Sequence, residues 1–144
     1  MSFNSFRKKK SLTGKRLEIL KNIILNRVRD YLEVLNLTQY NPIKLTKFKC
    51  NSIEDAEAIA KKYRKIINIS AIQPISDLIS ILENLGIMII QIVDVNNYIK
   101  DFDGLSEIVD DIPFIVLLDN IKDGARQRFT IAHELGHLVM DIAD

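Results

Sequence analysis

The sequence predicts an α+β domain, with helices packed on a small mixed or antiparallel sheet and an amphipathic helix added in front. Three observations predict it. Apolar residues recur every three to four places early in the chain, again between 52 and 85, and near the end. Between residues 88 and 118 lie three short runs rich in Ile, Val and Phe, of strand length and strand composition. The last two runs flank Asp110-Asp111, a pair suited to a tight hairpin. Taken from residue 52 the order is helix, helix, strand, strand, strand, helix, which calls for helices laid against one small sheet.

Residues 1–12 are polar and basic with little to bury, and are predicted to be disordered. From Thr13 or Gly14 to about Leu35 the residues Leu17, Leu20, Ile24, Val28, Tyr31 and Leu32 or Leu35 form an apolar helical stripe. Lys15, Arg16, Lys21, Arg27 and Arg29 lie off it. Residues 36–51, with Asn41-Pro42 inside, read as a linker with one extended piece. Residues 1–50 are therefore expected to be a basic extension, helical over about 15–35, and residues 51–144 the working domain.

Ser52 followed by Glu54 and Asp55 is a helix start: a hydroxyl to cap the first N–H groups, and acids in the positive first turn. Ala56, Ile59, Ala60 and Tyr63 supply the expected buried face, ending near Ile67. Pro74 is expected to open the next helix, with Leu78, Ile81, Leu82 and Leu85 as its stripe and Gly86 as its stop. Met88–Val93 reads as a strand, Asp101 to Gly104 as a turn, and Leu105–Val109 and Phe114–Leu118 as paired strands. Asp123 or Gly124 then caps the last helix.

At 144 residues the chain can build one hydrophobic core. Its longest apolar run, 85–90 and then 92–93, is far too short to cross a bilayer. Arg7-Lys8-Lys9-Lys10 is followed by more charge instead of an apolar stretch, so no signal peptide is expected. Cys50 is the single cysteine and has no partner for an internal disulfide. These features predict a cytoplasmic protein with no membrane partner.

The small net charge hides a division. Residues 1–50 carry 12 lysines and arginines against 3 acids, and residues 51–144 carry 8 against 16. A basic leading segment can touch nucleic acid or an acidic partner, or can simply be a solvated helix face, since no DNA- or RNA-recognition motif accompanies it.

The last helix contains His133-Glu134-Leu135-Gly136-His137, and these are the only two histidines of the chain. Residues four apart lie one turn above each other, so both imidazoles can aim at one point. Neutral imidazole is a good Zn²⁺ ligand, and Glu134 on the same turn can act as general base toward a water activated by the metal. Phe129, Ala132, Gly136 and Met140 read as an apolar flank at helical spacing, with Ala132 and Gly136 small where another element must come close. Arg126 and Arg128 precede the motif and can meet substrate, or can be solvated or paired with Asp123. A second reading makes His133 and His137 packing residues with no metal at all.

Asp101-Phe102-Asp103-Gly104-Leu105-Ser106, Ile112-Pro113-Phe114-Ile115-Val116-Leu117 and the run from Arg126 to Val139 together resemble the ImmA/IrrE family of zinc-dependent metallo-endopeptidases. The similarity runs from about Ser52 to the end. The resemblance implies a zincin-like fold, His133 and His137 as zinc ligands, Glu134 as catalytic base, and a helix-turn-helix repressor as protein substrate, cleaved to relieve transcription. It also implies an association with DNA, through the basic segment or through a helix-turn-helix domain missing here, of the kind found in phage and mobile elements. In the family the third zinc ligand is an acid on a following helix, and this chain stops seven residues after His137. Were the helix to continue, Asp141 would stand roughly 12 Å along its axis from His133, too far for a shared metal. Asp103 or Glu107 is the alternative donor. The third ligand is thus expected outside this chain, which holds part of a metal site; the alternative function is a truncated, inactive regulatory module that binds DNA or a partner.

Overall fold

The computed structural model describes residues 14–39, 44–93, 103–118 and 123–142. The expectations for residues 1–12, for Asn41-Pro42 and for Asp101-Phe102 in the turn lie outside those residues. Among the described residues the elements run α1 (Lys15–Leu37), β1 (Phe48–Cys50), α2 (Ile53–Ile66), α3 (Leu78–Asn84), β2 (Met88–Ile92), β3 (Gly104–Val109), β4 (Ile112–Leu118), α4 (Gly124–Val139) and β5 (Met140–Ile142). The fold is α+β, as the periodicities imply.

The main sheet has the order β2-β4-β3, with β2 parallel and β3 antiparallel to β4, so it is mixed. Asp110 and Asp111 connect β3 to β4 with φ of 51° and 64°, the left-handed geometry that a two-residue hairpin demands and that Asp tolerates. β4 is apolar throughout because it is covered on both faces. Ile112, Phe114 and Val116 join Ile90, Ile92, Leu105 and Val109 in a cluster with Leu20, Ile24 and Val28 of α1. Ile115 and Leu117 face the other way, into a cluster with Ile59 and Tyr63 of α2, Leu78 and Leu82 of α3, and Ile131, Leu138 and Val139 of α4. Helix α1 therefore covers one face of the sheet, and α2, α3 and α4 gather on the other. Burying each such side chain contributes about 1.5–3 kcal/mol.

Helix α2 starts as the sequence implies: Ser52 accepts a hydrogen bond from the Asp55 N–H at 3.1 Å. Its buried residues are Ile59 and Tyr63; Ala60 is exposed, which corrects the expected face. Helix α3 begins at Leu78 and not at Pro74. The Arg64 guanidinium donates to the carbonyls of Ser70 (2.7 Å) and Gln73 (2.9 Å), which ties the preceding segment to α2, and the Asp77 carboxylate then supplies the cap by accepting from Ser80 N–H. Gly86, at φ 91°, ends α3 as expected, its N–H bonded to the Glu83 carbonyl.

A second, two-stranded parallel sheet pairs β1 with β5, Phe48 opposite Met140 and Cys50 opposite Ile142. The extended piece expected between 36 and 51 is β1; β5 has no counterpart in the sequence reading, because three residues carry no period. Helix α4 consequently stops at Val139, and Asp141 stands in a strand beside Lys49.

Candidate metal centre

Asp123 opens α4 by accepting the Ala125 N–H at 2.9 Å, so the capping residue is the acid that the sequence points to. Its buried side is Thr130, Ile131, Glu134, Leu138 and Val139. The flank expected to pack, Phe129, Ala132 and Gly136, is not that side: Phe129 is 72 % exposed, Ala132 is exposed, and nothing lies within 4 Å of a Cβ built on Gly136. The reason is geometric. Ile131, Leu138 and Val139 carry more apolar surface than Ala132 and Gly136 and turn the opposite side of the helix to the sheet. Met140, half-buried, follows the core through β5 instead.

The close approach comes from the strand. A Cβ on Gly104 would stand 2.9 Å from Thr130 Cγ2 and 3.2 Å from Glu134 Cγ, so β3 and α4 touch where Gly104 has no side chain. Two residues on, and so on the same face of β3, Ser106 Oγ donates to Glu134 Oε2 at 2.8 Å. Among the described residues Ser106, Thr130 and Glu134 are the buried polar ones, and no buried side-chain nitrogen or oxygen lacks a hydrogen-bond partner. In the sequence Ser106 stands out only as part of the family resemblance. The signal that could have found it is the alternation of small Gly104 and polar Ser106 on one face with apolar Leu105 and Val109 on the other.

His133 is exposed and His137 half-buried, one turn apart along α4. Their rings meet edge to face at 89°, and His133 Nε2 lies 3.0 Å from His137 Nε2. Phe129 stacks along His133 with ring centroids 6.4 Å apart and 21° between planes. Two imidazole nitrogens bonded to one tetrahedral zinc at about 2.0–2.1 Å would be roughly 3.3 Å apart, so the observed spacing fits a shared ion with a shift of a few tenths of an ångström. Glu134 leaves the helix next to His133 but enters the contact with β3, with 8 % of its surface exposed. The structure thus brings the two expected nitrogen donors together, while the carboxylate of Glu134, on the same turn, is held against β3.

Other candidates fall elsewhere. Arg126 forms an ion pair with Asp103 at 3.0 Å rather than with Asp123, whose carboxylate is engaged in the cap. Arg126 is exposed and Asp103 partly so, and the pair ties the entry of β3 to α4 while adding little stability. Among the described residues no three of His, Cys, Asp and Glu gather in a group able to hold a metal. Cys50 is buried, its thiol pointing to the Ser52 carbonyl at 3.6 Å. No described helix is long and apolar enough to cross a membrane.

Residues 82–144, from α3 to the end, match the family model of a peptidase family described as the IrrE N-terminal-like domain. No curated protein and no solved structure gives a significant match.

Proposed function

With residues 82–144 assigned by that match to the ImmA/IrrE family of peptidases, we propose that the chain is a zinc-dependent endopeptidase acting in the cytoplasm on a helix-turn-helix repressor. The observation that carries this reading is the 3.0 Å approach of His133 Nε2 to His137 Nε2, with Glu134 on the same turn of the helix. His133 and His137 would hold the ion through the lone pairs of these nitrogens. Zinc, when bound, polarises the scissile carbonyl and makes water a stronger acid. Glu134 takes the proton of the attacking water and returns it to the departing amine. In the sheet order β2-β4-β3 the strand beside α4 is an edge and β4 is the centre. The substrate lies extended along β3, where backbone hydrogen bonds give affinity and flanking side chains select.

A second reading, a module that binds DNA or a partner without catalysis, is favoured by the lack of a third donor among the described residues. Two imidazoles alone hold zinc weakly and exchangeably. One experiment separates the two. The 144-residue chain is supplied with zinc and assayed on internally quenched fluorogenic peptides, with Glu134→Gln and His133→Ala as controls. Zinc-dependent cleavage, lost in both variants, supports the peptidase reading. Zinc binding that is indifferent to His133→Ala overturns the metal site, and zinc binding without cleavage selects the second reading.

A further inference from the structure

Glu134 is an expensive residue to place between a helix and a sheet. An aliphatic side chain would fill the same space without losing hydration, and a buried carboxylate is tolerated only where it is hydrogen-bonded. Here Oε2 accepts from Ser106 Oγ at 2.8 Å, and the Glu134 Cγ and Oε1 lie 3.2 and 3.3 Å from the point where a Gly104 Cβ would stand. Strand β3 therefore holds the group by a hydroxyl on one oxygen, and leaves room for the stem and the other oxygen where Gly104 has no side chain. We infer that Ser106 is a positioning residue for Glu134. It fixes the rotation of the carboxylate by engaging Oε2. The inference rests on the peptidase reading and deepens it. A carboxylate already oriented loses less freedom when the reaction begins, and a general base works only within hydrogen-bond reach of its proton. Gly104 is the counterpart of Ser106, since any side chain there would push β3 away and lengthen the hydrogen bond.

The test uses the full chain with zinc and a fluorogenic peptide that the unsubstituted chain cleaves. Ser106→Ala is expected to lower kcat by about tenfold to a hundredfold, the range typical of removing an orienting partner, while KM and zinc affinity stay within about twofold. Ser106→Thr, which retains the hydroxyl, is expected to keep most of kcat. An unchanged kcat in Ser106→Ala, or a loss that appears only in KM or in zinc affinity, overturns the inference. A second measurement needs no turnover. Ser106→Ala is expected to raise the urea-unfolding equilibrium constant about fivefold when Glu134 is present, and less than about twofold when it is replaced by Ala or by Met, which preserves volume. Equal effects in both backgrounds overturn the inference. If zinc supports no cleavage at all, the peptidase reading falls, and this cycle alone decides whether Ser106 holds the carboxylate.

Discussion

Gly104 and Thr130 define how closely the edge strand can approach the histidine-bearing helix: a first side-chain carbon on Gly104 would come within 2.9 Å of Thr130 Cγ2. Real carbons do not sit that close, and the position is in β-strand conformation, so the constraint is one of space. Everything that β3 does for Glu134 depends on it.

Gly104→Ala is accordingly expected to destabilise the protein by about 1–3 kcal/mol, the usual range for overpacking a filled interior. Urea unfolding measures it. Thr130→Ser removes the methyl group in the way and is expected to recover part of that loss; a Gly104→Ala chain as stable as the original would show that β3 and α4 are free to separate.

Helix α1 is expected to behave as core. Ile24, with no exposed surface, packs against the sheet face carrying Phe114 and Val116, so Ile24→Ala is expected to cost about 2–5 kcal/mol by chemical denaturation. Arg27 and Arg29 are exposed on the same helix. Arg27→Gln and Arg29→Gln are each expected to change stability by less than about 0.5 kcal/mol. They are also the proper probes of the basic face: loss of a salt-dependent affinity for DNA in the double variant would assign that affinity to α1. Deleting the helix would instead strip the sheet.

Zinc affinity and folding are expected to separate at the motif. His133→Ala and His137→Ala should each weaken zinc binding at least about tenfold, as measured by competition with a chromogenic chelator. The exposed His133 should leave Tm within about 2 °C, since surface substitutions cost about 0.5 kcal/mol or less. A large fall in Tm on His133→Ala with no change in zinc binding would make the imidazoles packing groups.

Tyr63 predicts an alkaline limit. Its hydroxyl donates to the Thr46 carbonyl at 2.6 Å, and burial raises the phenol above its ordinary value of 10.0. A raised value means that the folded state favours the neutral phenol. The associated stability is complete below pH 10.0 and is lost as pH rises through the folded value. Tyr63→Phe is expected to cost about 1 kcal/mol at neutral pH, by loss of the hydrogen bond, and that difference should shrink above pH 10. A gap that stays constant up to pH 12 would sink the prediction.

The sequence by itself determined the local elements and the spacing of the two imidazoles on α4. The stripe of α1 at Leu20, Ile24 and Val28, though not the exposed Tyr31 also expected in it, the cap at Ser52, the Asp110-Asp111 hairpin and the convergence of His133 and His137 depend on residues a few positions apart, and short-range periodicity and hydrogen bonding dictate them. What only the tertiary structure decided involves residues distant in the chain. It turned Ile131 and Leu138, rather than Ala132 and Gly136, toward the sheet; it placed β3 at the edge beside α4; it paired Phe48 with Met140; and it brought Ser106 to Glu134. The reason is that a helix with apolar residues on more than one side has several faces it could bury. The choice falls to the shape and hydrogen-bonding groups of the surface it meets, here a strand with bare backbone at Gly104 and a hydroxyl at Ser106.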